Sequence, residues 1–412
     1  MEPGTIWLLT TAALVLFMTP GLAFFYGGLV KAKSVISMMM LSFGAMGLVF
    51  VLWVLYGLNM AASGDGDLIP GLLGNPLSDF ALADMAKNSP ADLAGVAFGS
   101  TFAVITVALI SGAVADRARF GPWMVFAGLW ATLVYFPTQG WIWGGDGWIE
   151  KFGFGDTSVL DWAGGTVVHI SAGAAAFALA IVLGQRKVGF SKEGAEPHNI
   201  PLVLIGAAIL WFGWFGFNTG AAGDDGTAGL IFLNTILAPA AGVLGYIVVE
   251  RIKDGKPTAV GAASGIVAGL VAITPACANL TPIWAIVLGI VAGAACCFAI
   301  DLKYKLGYDD SLDVVGLHLV AGIIGTLYLG FFATTFDAEA GTWTDTGFFL
   351  GGGIDQLLTQ IVPVVAVLVY SFVVAFILGK VIDLVMGFRV TEHEEIAGVD
   401  NVLHGGGAYK FD

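Results

Sequence analysis

Apolar stretches of about 20 residues are long enough to cross a hydrocarbon core about 30 Å thick. This chain holds eleven, at roughly 5–30, 34–61, 93–115, 121–144, 161–184, 200–222, 228–250, 258–277, 283–302, 312–334 and 354–381. Hydrophobic residues make up 57% of the chain and charged ones 12%, well short of the roughly 25% charged residues of a soluble domain. The expectation is an all-α polytopic membrane protein with eleven transmembrane helices and a polar tail over 388–412.

Basic residues set the orientation, because Lys and Arg in short loops are held on the cytoplasmic side. One alternate set of loops, with the C-terminal end, carries fifteen of the seventeen, from Lys31 and Lys33 through Arg117, Arg186, Lys192 and Lys253 to Arg389 and Lys410. The other set has only Lys87 and Lys151. This places the N-terminus outside and the C-terminus in the cytoplasm, as an odd number of spans requires. Acidic residues crowd the outer loops, including Asp65, Asp146, Asp224 and Glu339, and leave a net charge of −14. That field suits a solvated outer face and also the local enrichment of a cationic solute.

Two stretches interrupt the apolar pattern in the same way. "DWAGGTVVHISAG" puts His169 eight residues after Asp161, and "DSLDVVGLHLVAG" puts His318 eight after Asp310. The first stretch enters from outside and the second from the cytoplasm, so the two form an inverted repeat, spanning about 5–184 and 200–334. Each histidine then lies about 12 Å below its aspartate, near the bilayer midplane, where inverted-repeat transporters keep their substrate site. At the start of a helix either aspartate can serve as an N-cap. For Asp310 capping is a sufficient account, whereas for Asp161 capping and function are compatible.

Ionisable groups inside a membrane are expensive and mark routes. Burial favours neutral imidazole, and a neutral pair offers one donor and one acceptor per ring. That chemistry suits a small neutral hydrogen-bonding molecule or a proton relay, and not a bare alkali cation, which wants a cage of oxygens. Phe102, Trp143 and Phe217 all fall at outer span ends. Such aromatics form interfacial belts, and their faces also hold desolvated cations. An aromatic mouth above a histidine pair reads as capture of a cation, its deprotonation, and passage of the neutral base.

Other classes fit less well. "EHEE" at 392–395 lacks the HExxH spacing of a zinc site, there is no GxSxG, and "HGGG" at 404–407 has no strand context. Cys277, Cys296 and Cys297 lie in or at the end of apolar spans and read as packing residues. No enzyme activity, cofactor, metal or nucleic acid is expected.

The segments "TPGLAFFYGGLV", "DWAGGTVVHISAG", "GWFGFNTGAAG", "TPACANL", "DDSLDVVGLHLVAGIIG" and "FRVTEHEEIAGVD" resemble the Amt/Mep/Rh ammonium transporters, specifically the bacterial and archaeal Amt type, along nearly the whole chain. The resemblance implies a homotrimer with one pore per subunit, built from five helices related to five by a quasi-twofold, with an eleventh bracing helix. It implies that Phe102 and Trp143, supported by Asp161, hold NH4+, and that Phe102 and Phe217 form a gate. His169 and His318 would be the twin histidines, Leu22, Leu109 and Val314 the walls of the apolar lumen, and Thr274 a residue near the outer path. Transport would deprotonate NH4+ and conduct NH3, with a separate proton relay making it electrogenic and methylammonium a further substrate. The alternative is a sensor that binds ammonium with little transport. The tail would act with a cytoplasmic PII-type protein such as GlnK. One departure is Ala221, where many bacterial members carry a serine whose hydroxyl helps hold the ion.

Overall fold

The computed structural model describes residues 2–191, 196–337 and 342–409, so Lys192, Glu339 and Lys410 lie outside the described residues. Ten helices in it are long and apolar enough to cross a membrane. They are α1 (Pro3–Leu29), α2 (Val35–Ala61), α3 (Pro90–Val114), α4 (Phe120–Trp143), α5 (Gly165–Leu183), α6 (Ile200–Thr219), α7 (Asp225–Asp254), α9 (Pro282–Leu306), α10 (Val315–Phe332) and α11 (Asp355–Met386). Between them lies α8 (Ala259–Ile273), a shorter apolar helix of 15 residues. Two short helices, α12 (Glu392–Ala397) and α13 (Val399–Leu403), follow in the tail.

Two boundaries differ from the sequence expectation for reasons that matter to the site. α8 was expected to reach residue 277 but stops at Ile273. Pro275 has no N–H to continue the helical ladder and its ring crowds the preceding turn, so the chain turns off there and the carbonyls of Thr274 and Pro275 accept from Ala163 N at 3.2 Å and Trp162 N at 3.1 Å. The α5 stretch was expected from residue 161 but becomes helical only at Gly165, after Gly164 takes a φ of +112° that favours glycine. The second half of the chain repeats the arrangement inverted, with Ala113 O at the end of α3 accepting from Ser311 N at 3.4 Å.

α1 packs along α6, and α7 packs against α8 and α9. Small residues allow such close approach where lipid removes the hydrophobic drive between helices: a Cβ on Gly206 would lie 2.3 Å from Phe25 N. α11 lies across α5, α10 and α4. The spans alternate in direction, so α5 and α10, five apart, run oppositely.

The fold also contains a small antiparallel hairpin, β1 (Thr334–Asp337) with β2 (Thr342–Asp345), which the all-helical expectation did not include. The tail folds onto the basic loops. The Asp400 carboxylate caps α2 by accepting from Ile36 N at 3.0 Å and Ser37 N at 2.7 Å. Arg119 bonds Glu394 at 3.2 Å, and Arg389 bonds Glu395 at 2.7 Å.

Candidate functional site

Both histidine-bearing helices begin with a wide turn of π-type hydrogen bonding, Gly165–Ile170 and Val315–Leu319. Such turns are rare and concentrate at functional sites. They carry the two rings to one point, where His169 Nδ1 and His318 Nδ1 are 3.2 Å apart. Both residues are buried, and the ring planes lie 21° apart.

One ring must donate in this contact and the other accept. Two neutral imidazoles therefore hold opposite tautomers, one with a free Nε2 acceptor and the other with an Nε2–H donor. His169 Nε2 has no hydrogen-bond partner among the described residues. Trp214 stacks on His169 at 5.5 Å and donates its indole N–H to Thr274 Oγ1 at 2.9 Å, which fixes the face against which the imidazole rests.

A narrow apolar lumen runs beside the pair, with about 10 Å³ of free space and walls that include Leu22, Leu109, Met18 and Leu210. That volume holds about one water molecule. Phe217 closes its far end and stacks on Phe102, with centroids 4.1 Å apart and planes 12° apart. Beyond the stacked rings, toward the acidic loops, opens a cavity of about 260 Å³ walled by Phe102, Trp143, Trp162, Phe217, Gln139 and Ala221, among others. Trp143 stands edge-on to Phe102 at 6.0 Å.

Asp161 sits behind this cavity, buried. Its carboxylate accepts from the backbone N–H groups of Gly164 at 3.0 Å, Gly165 at 2.6 Å, Thr166 at 2.9 Å and Val167 at 3.3 Å, and from the Thr166 hydroxyl. Burial pushes the carboxyl above its ordinary range, and the donors pull it back. The Asp161 carbonyl meanwhile accepts from Trp143 Nε1 at 2.8 Å. One residue thus caps α5 and sets the angle of an aromatic wall.

Asp310 is also buried and accepts from Val315 N at 2.6 Å, while its Oδ1 has no partner among the described residues. Burial, offset by Lys303 and reinforced by Asp313, raises its carboxyl to about 6. Next to it, Asp309 binds Arg186 through Nε and Nη2, both at 2.9 Å. Arg186 also meets Asp116 at 3.2 Å, and Arg117 donates to the Asp309 carbonyl at 2.5 Å. Against the upward push of burial, Arg117 and Arg186 hold Asp309 below the usual carboxylate range.

Of the residues singled out from sequence, Phe102, Trp143 and Phe217 wall the cavity, and Leu22, Leu109, His169 and His318 line the lumen. Three line neither space: Asp161 sits behind the cavity and holds Trp143, Thr274 holds Trp214, and Val314 packs near Gly112. Sequence reading passed over Gln139, Trp162 and Trp214. Gln139 had a visible signal, a polar residue one helical turn before Trp143 in an apolar span.

Comparison with known proteins places this arrangement. The model of the Ammonium Transporter Family matches residues 6–409. An ammonium transporter of Mycobacterium tuberculosis (strain ATCC 25618 / H37Rv) is 48% identical over 435 aligned residues, covering 99% of this chain and 90% of its own length. Among solved structures, a sensor Amt protein superposes with a TM-score of 0.87 at 27% identity over 98% of both chains. Candida albicans Mep2 superposes with a TM-score of 0.85 at 32% identity, covering 96% of this chain and 87% of its own.

Proposed function

This chain belongs to the ammonium transporter family, and from that premise we propose that it captures NH4+ among aromatic faces and passes NH3 along paired histidines. It is a multi-pass membrane protein that transports ammonium, and not an enzyme. In the proposed orientation the acidic end faces outside and the basic end, with the tail, faces the cytoplasm.

NH4+ sheds water into the cavity bounded by Phe102 and Trp143, whose ring faces attract a cation. Asp161 supports this step by its negative charge and by holding Trp143. Its carboxylate oxygens are already occupied by α5 donors, so it acts as a field and a brace, and the proton passes to the free Nε2 acceptor of the imidazole pair. The neutral base then passes when the Phe102 and Phe217 rings swing apart. Below them the lumen is apolar except for the imidazoles, whose opposite tautomers offer NH3 one acceptor and one donor. A relay through the shared Nδ1 contact can carry the proton separately, which makes transport electrogenic. K+ has no proton to give up and meets no cage of oxygens, so selectivity follows without a size filter.

The observation that carries the reading is the 3.2 Å contact between His169 and His318 beside an apolar lumen capped by stacked rings. The test is His169→Ala in proteoliposomes: the reading expects K+ to be admitted or the ammonium current to vanish. Ammonium flux at the original level with K+ still excluded would overturn it.

Family membership also supports three finer parts of the proposal: a homotrimer with one pore per subunit, methylammonium as a second substrate, and a PII-type partner such as GlnK at the basic end. Residues 388–412 are the proposed regulatory segment, following a transmembrane domain over 1–387. Truncation after Arg389 is expected to change transport and to weaken co-purification of a PII protein; unchanged values of both would count against a regulatory tail.

A further inference from the structure

We propose that the side-chain carbonyl of Gln139 is the hydrogen-bond acceptor that holds the ammonium ion in the outer aromatic cavity. The inference rests on that cavity being the capture site.

An ammonium ion arrives with four N–H donors and little to donate to. The side chains walling the cavity are aromatic or alanine, with glycine backbone between them, and Gln139 is the one among them that carries an oxygen. The two tryptophans cannot help, because an indole N–H is a donor only, and both are already committed: Trp143 Nε1 to Asp161 O and Trp162 Nε1 to Asn218 O, each at 2.8 Å. Ala221 supplies no hydroxyl.

Gln139 is itself in want of a partner. Its Oε1 is buried and makes no hydrogen bond to any described residue, a costly state that native structures rarely keep without a reason. Its amide nitrogen makes no bond to any described residue either. The terminal amide torsion is soft, so turning it presents Oε1 to the cavity and breaks nothing. Gln139 precedes Trp143 by four residues on α4, which puts it on the same face, about 6 Å deeper toward the gate. An ion resting against the Trp143 ring would therefore find this carbonyl on its inner side. Cation–π attraction from the rings and one directed bond from Gln139 together replace part of the shed hydration.

The test measures ammonium-jump currents against concentration for the full-length protein in proteoliposomes, with Trp143→Leu as the reference for loss of the capture site. Removing a hydrogen bond to a charged group, as in Gln139→Leu, is expected to raise the half-saturating ammonium concentration about tenfold or more. Adding Ala221→Ser to that variant is expected to recover part of the loss. Gln139→Glu, which turns the acceptor into an anion, is expected to lower the half-saturating concentration, and decides the matter if the leucine variant does not fold. The proposal is overturned if Gln139→Leu and Gln139→Glu both stay within about twofold of the original while Trp143→Leu weakens capture. If Trp143→Leu also changes nothing, the capture site itself lies elsewhere.

Discussion

The two arms that deliver the histidines share a spacing, a capping aspartate and a wide first turn, yet they are anchored by opposite means. The Asp161 arm is held by neutral donors. Backbone amides and a threonine hydroxyl surround its carboxylate, and Gln360 of α11 clasps Leu160 through both ends of its amide, at 2.8 and 2.7 Å. The Asp310 arm is held by ions, with Asp309 locked between Arg186 and Arg117 and Asp116 beyond. Backbone symmetry serves the meeting of the rings, while the asymmetry of the anchors serves the two mouths. Under the proposed capture, a pair of arginines beside the aromatic cavity would repel an arriving cation; at the basic end the same arginines belong to the excess on which the proposed orientation rests.

The largest effect that can break this contrast comes from the ionic arm. Arg186→Ala leaves Asp309 buried without its main partner, and removing one member of a buried pair costs about 3–5 kcal/mol. A steep fall in the thermal midpoint of the detergent-solubilised protein is expected; a small one would mean that this arm is not held by charge. Next comes Asp161→Ala, which orphans several buried donors at once and is expected to cost about 3 kcal/mol. Asp310→Ala loses a single observed bond and should cost about 1 kcal/mol. Equal losses at the two aspartates would erase the distinction between the arms.

A further effect is a slope with pH, and it has opposite signs at neighbouring residues. Asp310 has a folded-state carboxyl raised to about 6, so the native chain binds its proton more tightly than the unfolded chain, and this contribution to stability is lost as pH rises from the ordinary carboxylate value toward about 6. Asp309 is depressed by its arginines, so its contribution is present above the ordinary value and lost as pH falls through the folded one. Asp310→Asn should flatten the decline on the mildly acidic side, and a thermal midpoint that varies with pH as before would show that Asp310 does not carry it.

Much of this fold can be read from the length of apolar runs, since a span of α1 or α11 needs little more than enough hydrocarbon-compatible residues. What escaped was set by contacts between distant segments. Pro275 is visible in sequence, but not that the carbonyls it frees would receive Trp162 and Ala163. The wide turns at Gly165–Ile170 and Val315–Leu319 leave no periodic trace in windows that are apolar on every side. The repeated Asp and His spacing did announce the pair of rings, because two ionisable groups at one depth stand out against such a background. Asp161 was visible as a candidate, but the number of donors filling its oxygens was not. Gln139 was passed over because a single amide in a long span reads as tolerated polarity until the cavity beside it is seen to lack any other side-chain oxygen.

The central claim is that ammonium is captured as a cation and moved across, with its charge following. Purified protein reconstituted into liposomes on a solid-supported membrane, given an ammonium concentration jump with K+ as control, tests it most directly. The account predicts a decaying current to ammonium, none to K+, and a decay that lengthens as fewer proteins are placed in each vesicle. No current, or a brief transient whose decay ignores protein density, would contradict it and leave a chain that binds ammonium without carrying charge across.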